Sequence, residues 1–200
     1  MAKSTHENFT ISAHFELSLR FTDLNITDFD AALKYLQKLP YGRNSPAPGL
    51  MKVLDEKRGT CSTKNALLWT LCMENGKQGF DLMLGISNMT AENMPQIQPV
   101  LRKYRLPYMP EAHVYIKNKG AIIDATFPKV NQAFLKDIVA EEEINATDID
   151  KYKVQYHRNY LDKWRKESKE KAITKYTTDQ LWDIRQECIA ALSPALAAAK

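Results

Sequence analysis

Cys61, His113 and Asp124 are the side-chain types of a thiol nucleophile, its base and the carboxylate that orients the base. Thr60 is a good N-cap residue, so Cys61 is expected in the first turn of a helix, close to unpaired backbone N–H groups and the positive end of the helix dipole. A thiolate is stabilised there, and the Cys61 backbone N–H would offer one donor to the oxyanion of a tetrahedral intermediate.

His113 and Asp124 fall in two apolar runs, Ala112 to Lys117 and Gly120 to Thr126, that read as a hairpin around Asn118-Lys119. An even-numbered loop sets His113 opposite Asp124, Val114 opposite Ile123 and Ile116 opposite Ala121, the two numbers of every pair adding to 237. Directly opposed Cβ atoms lie about 4.5–5.5 Å apart, near enough for a carboxylate to accept the imidazole N–H and hold the ring. A slip of one residue would put His113 and Asp124 on opposite faces.

Three blocks, Gly59-Thr60-Cys61-Ser62-Thr63-Lys64, Ala112-His113-Val114-Tyr115-Ile116 and Ile123-Asp124-Ala125-Thr126, resemble in order the Cys, His and Asp blocks of the transglutaminase-like superfamily. His113 follows Cys61 by 52 residues and Asp124 follows His113 by 11, and the resemblance spans about Tyr41 to Pro128. It implies an α+β, papain-like core: a helix carrying the nucleophile, packed on an antiparallel sheet carrying His and Asp, followed by C-terminal helices. By that resemblance Cys61 is the nucleophile, His113 the general base and then acid, and Asp124 the orienter. Val114 departs from the aromatic residue that many members carry after the His. For a second oxyanion donor the candidates are Tyr41, Arg43 and Asn44.

A free cysteine is more often buried and inert, as Cys72 is expected to be. Cys72 lies 11 residues along the helix from Cys61, roughly 16 Å at ~1.5 Å per residue, so the two cannot share a zinc ion, and no structural-zinc spacing occurs. Lys64 would lower the thiol pKa if it faced Cys61, whereas a helical lysine is usually solvated. His14 is expected on an exposed face, and neither His6 nor His157 has a partner that the sequence identifies.

The elements that must position these residues follow from periodicity. Phe9, Ile11, Ala13, Phe15, Leu17, Leu19 and Phe21 alternate with polar residues, which predicts a half-buried strand. Asp28 to Leu39 reads as an amphipathic helix opened by Thr27 with Asp30 and ended before Pro40. Tyr41 to Leu50 is an irregular loop, and Cys61 to Glu74 a helix apolar almost all round, hence central. Phe80 to Ile86 predicts a buried strand, and prolines restrict Asn88 to Tyr108 to short helical pieces.

From Phe134 onward the chain reads as helical and charged, anchored by Trp164, Trp182 and Ile184. Between Lys151 and Lys175 nine Lys or Arg face three acidic residues, with Tyr152, Tyr156, Tyr160 and Trp164 at four-residue spacing. The favoured reading is a helix with its aromatic stripe on the core and its basic side in water; the alternative is a surface for an acidic partner.

The 200 residues suit one domain, with a core at about 9–128 and a helical extension at 129–200. A net charge of +4 is too small to argue for nucleic acid without a motif. Three cysteines without a framework and a start at Met1-Ala2-Lys3-Ser4 without an apolar run predict a cytoplasmic protein. Ile189 to Ala199, broken by Ser193 and Pro194, is too short to span a membrane.

The function expected is that of a cysteine hydrolase or acyltransferase acting on a peptide, amide or acyl substrate, with no cofactor and no metal. The alternative is a non-catalytic, transglutaminase-like binding or scaffolding protein that works through its basic C-terminal helical surface.

Overall fold

The computed structural model describes residues 6–46 and 49–197. The Met1-Ala2-Lys3-Ser4 start, Pro48 of the expected loop and the last residues of the apolar stretch ending at Ala199 lie outside the described residues. The fold is α+β, with nine helices and a four-stranded antiparallel sheet among the described residues.

In chain order the elements are α1 (Glu16–Asp23), α2 (Phe29–Lys38), α3 (Lys52–Asp55), α4 (Cys61–Glu74), β1 (Phe80–Met89), a 3-10 turn (Pro95–Ile97) and α5 (Gln98–Tyr104). They continue with β2 (Met109–Asn118), β3 (Ala121–Ile123), α6 (Gln132–Lys136), β4 (Ile138–Glu143), α7 (Lys151–Glu167), α8 (Lys171–Thr174) and α9 (Thr178–Ala197). The strand order is β3-β2-β1-β4.

Internal contacts divide the chain into two compact units, each built from separated segments. The first takes the described residues of Met1–Leu84, Val114–Val130 and Glu142–Ile149; the second takes those of Gly85–His113, Asn131–Glu141 and Asp150–Lys200.

In the first unit α4 is the hub, with α1, α2 and α3 packed on it. Its sequence foretold this: Ala66, Leu67, Leu68, Leu71 and Cys72 are all fully buried. Phe29 at the start of α2 joins Phe9 and Phe80, its ring centroid 5.2 Å from each of theirs. The cap of α2 is Asp28, whose carboxylate accepts from Ala31 N at 2.9 Å, one residue beyond the expected Thr27.

The strand expected over residues 9–21 is not formed. Thr10 makes an isolated bridge to Asp28, and the chain then turns into α1. A period of two also contains the i, i+4 repeat, so Leu17 and Phe21 are buried while Phe15 and Leu19 stay 53% and 44% exposed. What selects the helix is Glu74 at the end of α4. Its carboxylate accepts from Leu17 N at 3.2 Å and from Ser18 N and Ser18 Oγ at 2.8 Å each, filling the role of an N-cap that Phe15 cannot play.

The β2–β3 hairpin forms, but two residues out of the expected register. The ladder pairs Ile116 with Ile123, Lys117 with Ile122 and Asn118 with Ala121, so the numbers add to 239. The loop is Lys119-Gly120, with φ of +49° and +80°. A two-residue turn of this hand needs positive φ at both positions, which glycine adopts without strain. Asn118, expected in the turn, is instead held in the strand: its side chain accepts from Glu7 N at 3.1 Å and donates to Gly79 O at 2.8 Å.

In the second unit α9 packs on the 3-10 turn, α5 and α7, and Pro95 and Pro99 sit in the first turns of the short helical pieces they were expected to limit. Two expectations fail. Ile138–Glu143 is a strand rather than helix; its three glutamates conceal an alternation in which even-numbered residues are half-buried and odd-numbered ones exposed. The face that α7 buries is His157, Leu161 and Trp164. Of the aromatic stripe only Trp164 is buried, and Tyr152 is 48% exposed. Among the described residues no helix is long and apolar enough to cross a membrane.

Candidate functional site

Cys61 is the first residue of α4, as Thr60 implied. Thr60 Oγ1 accepts from Thr63 N, and Thr63 Oγ1 accepts from Thr60 N at 3.0 Å, closing a reciprocal capping box. The thiol is therefore held at the positive end of a 14-residue helix, 5% exposed and in no disulfide. Its Sγ lies 3.9 Å from Ser62 Oγ.

One turn on, the fully buried Asn65 joins Cys61 to Asp124. Asn65 Nδ2 faces the Cys61 carbonyl at 3.0 Å, the Val114 carbonyl at 2.9 Å, Asp124 Oδ1 at 3.0 Å and Thr126 Oγ1 at 3.3 Å. Two N–H bonds thus serve four acceptors, while Asn65 Oδ1 accepts from Ala125 N at 2.9 Å. Asp124 Oδ1 also accepts from Thr126 N at 2.9 Å and from Thr126 Oγ1, and Gln37 Nε2 donates to the Asp124 carbonyl at 2.9 Å. The carboxylate is thereby held by side chain and backbone together.

Lys64 departs from the solvated lysine expected on a helix: none of its surface is exposed. Its Nζ donates to the Leu39 carbonyl at 2.6 Å and the Thr126 carbonyl at 2.9 Å. Burial lowers its pKa to about 8, against the opposing pull of Asp124 and then Cys61. Gly59 makes room for the stem. A Cβ there would lie 2.9 Å from both Lys64 Cγ and Thr63 Oγ1. The block Gly59 to Lys64 is thus one device: space, cap, thiol and buried amine.

Of the oxyanion candidates, Asn44 has its side chain committed to bracing its own loop. Its Nδ2 donates to the Arg58 carbonyl at 3.0 Å and Glu56 Oε2 at 3.2 Å, and its Oδ1 accepts from Thr63 Oγ1 at 3.2 Å. Tyr41 bridges Gly59 through the backbone and stacks with Phe127 at 5.5 Å.

The first unit therefore brings Cys61, Lys64, Asn65 and Asp124 together. His113 belongs to the second unit, in β2, 5% exposed, its ring edge-on to Phe134 at 5.4 Å. The expected direct opposition of His113 and Asp124 is corrected by the hairpin register, since β3 ends at Ile123 and Asp124 lies beyond the paired residues. Because the displacement is even, odd residues of β2 and even residues of β3 still share a face, as Lys117 and Ile122 do.

A second polar cluster had no sequence signature. In the second unit the buried Glu111 carboxylate is gripped by both Arg185 Nε, at 2.6 Å, and an Arg185 terminal nitrogen. Burial pushes the Glu111 pKa up, but Arg185 and His157 outweigh it and the net shift is downward. His157, 1% exposed, donates its Nε2–H to the Pro110 carbonyl at 2.8 Å, and burial depresses its pKa to about 4. Cys72 and Cys188 are buried thiols with raised pKa, Cys188 to about 12. Among the described residues no group of three or more His, Cys, Asp or Glu side chains could hold a metal ion. No protein-family model, no curated protein and no solved structure matches this chain.

Proposed function

We propose that the chain is a cysteine hydrolase or acyltransferase on a transglutaminase-like, papain-like core, with Cys61 as nucleophile, His113 as base and Asp124 as the orienting carboxylate. The observation that carries this reading is the Asn65 bridge, which ties a thiol at a capped helix start to a buried, restrained carboxylate. The part given to His113 rests on the order and spacing of the three sequence blocks.

In the proposed reaction the Cys61 proton passes to His113, and the thiolate attacks the carbonyl carbon of a peptide, amide or acyl substrate. The Cys61 backbone N–H steadies the oxyanion. His113 returns its proton to the leaving group as the carbon–heteroatom bond breaks, leaving a thioester. Water then gives hydrolysis, and an amine gives acyl transfer. The three cysteines suit a reducing compartment such as the cytoplasm.

A second reading is a non-catalytic binding protein that uses the basic surface of α7. It is supported by Tyr152 and Val154, which are 48% and 43% exposed there. Part of that charge is already paired, since Arg165 and Lys166 both contact Asp162, at 3.0 and 2.6 Å.

Iodoacetamide labelling of Cys61 against pH distinguishes the two readings. The enzyme reading expects fast labelling below pH 7 that collapses in His113→Ala. An ordinary midpoint of about 8.5, unmoved by that substitution, would remove the base and favour the binding reading.

A further inference from the structure

We infer that the cleft between α7 and residues 139–140 of β4 is a binding site for a small organic cation with an alkylated nitrogen, a quaternary ammonium of the choline kind. Every residue that lines it belongs to the second unit, and the inference stands independently of the thiol chemistry proposed above.

The cleft has a volume of about 310 Å³, at the lower end of the range for small-molecule sites, roughly 300–1,000 Å³. Tyr160, Lys163, Trp164 and Glu167, spaced by three, four and three residues, share one face of the last turns of α7 and line it. Tyr108 joins them from the chain entering β2. The Trp164 indole N–H donates to the Tyr108 hydroxyl at 2.8 Å, and the two ring centroids lie 5.2 Å apart, so this part of the wall is fixed by the fold itself. Trp164 is buried, and Tyr108 and Tyr160 are half-buried. Aromatic rings attract a cation at their faces, more strongly where water is displaced.

The distribution of charge selects a cation over other guests. Between Lys151 and Lys175 basic residues outnumber acidic ones nine to three. The cleft reverses that balance, with Glu167 and Glu170 against the single Lys163. The third acid, Asp162, is held by Arg165 and Lys166 at 3.0 and 2.6 Å, and neither of these bases lines the cleft. The segment thus gathers its acids where the aromatic rings are. The C-terminal end of the 17-residue α7 lies at the same place, at Glu167 and Ser168, and a helix C-terminus favours positive charge. A neutral guest would gain nothing from the two carboxylates, and an anion would be repelled by them. An alkylated nitrogen suits aromatic walls better than a primary ammonium, whose three N–H groups would each need an acceptor in place of water.

The test is a titration of the full chain with choline, followed at the Trp164 indole N–H resonance, beside the neutral isostere that carries a tert-butyl group in place of the trimethylammonium. Choline is expected to move the resonance saturably and to bind about tenfold more tightly than the isostere. Glu167→Gln combined with Glu170→Gln, both at exposed positions where folding is not at stake, should weaken choline by about tenfold. Lys163→Met removes a like charge and should strengthen it. Equal affinity for the two guests, a resonance that does not saturate, binding unmoved by the double Gln variant, or weaker binding in Lys163→Met each overturns the inference. Nα-acetyl-trimethyllysine methylamide, titrated in parallel, separates the two sources of this chemistry. Tighter binding than choline assigns a methylated lysine side chain, and weaker binding a free small cation; either supports the site.

Discussion

Asn65 Nδ2 lies 3.0 Å from Asp124 Oδ1, and this bond fastens the first turn of the helix that begins at Cys61 to the chain leaving β3. Asparagine suits the place because it both donates and accepts: its amide nitrogen serves Asp124 and the Cys61 carbonyl while its oxygen takes the Ala125 N–H. Asn65→Ala should strand these buried groups and cost about 2–4 kcal/mol in urea unfolding, with slower Cys61 labelling in the fraction that stays folded. A loss under about 0.5 kcal/mol would mean that water or neighbouring groups replace the amide.

Gly59→Ala tests the space kept for Lys64. The added Cβ would meet Lys64 Cγ and Thr63 Oγ1 at 2.9 Å and Val53 Cγ2 at 3.3 Å, displacing both the stem and the capping box. Calorimetry should show destabilisation of about 1–3 kcal/mol, the usual result of overpacking. Unchanged melting would show that the lysine stem moves aside freely.

His157 gives the stability a predictable acid limb. Its folded pKa of about 4 lies below its ordinary value of 6.5, so the unfolded chain takes up the proton first as pH falls. Stability tied to neutral His157 is complete above pH 6.5 and is lost between 6.5 and 4, by about 3 kcal/mol. The advantage of the wild type over His157→Gln, measured by denaturant unfolding, should shrink across that window. A constant difference from pH 7 to pH 4 would contradict it.

The buried Glu111–Arg185 pair should respond asymmetrically to substitution. Glu111→Gln or Arg185→Met alone takes one member from a buried ion pair and should cost about 3–5 kcal/mol, whereas Glu111→Leu with Arg185→Met should cost less than either. A double-mutant cycle by chemical denaturation reads the coupling; additive losses would mean that the two residues act independently.

Glu74→Ala isolates the tertiary capping of α1. Removing the carboxylate leaves the N–H groups of Leu17 and Ser18 without that acceptor and should cost about 1–2 kcal/mol, with faster hydrogen exchange confined to α1. Exchange that is unchanged in α1 would place the origin of that helix elsewhere.

Where local chemistry decides, the sequence was enough. Thr60 before Cys61 marked the start of α4 to the residue, because a capping hydroxyl reaches only the next turn, and the apolar girth of the helix announced its central place. The hairpin was legible as a hairpin, and the prolines after Asn88 bounded the helical pieces as expected.

What only the tertiary structure decided depends on partners distant in the chain. The run Phe9 to Phe21 suits a strand or a helix equally at i, i+4, and Glu74, more than fifty residues away, is what caps α1. The hairpin moved by two residues because Asn118 is bound to Glu7 and Gly79, contacts that no local pattern contains. Lys64 reads in the sequence as a solvated helical lysine and Asn65 carries no local signal, yet both are buried, since their partners at Leu39, Asp124, Ala125 and Thr126 come from segments that meet α4 only after folding. A sequence displays donors and acceptors, but which of them lose water together is settled by packing.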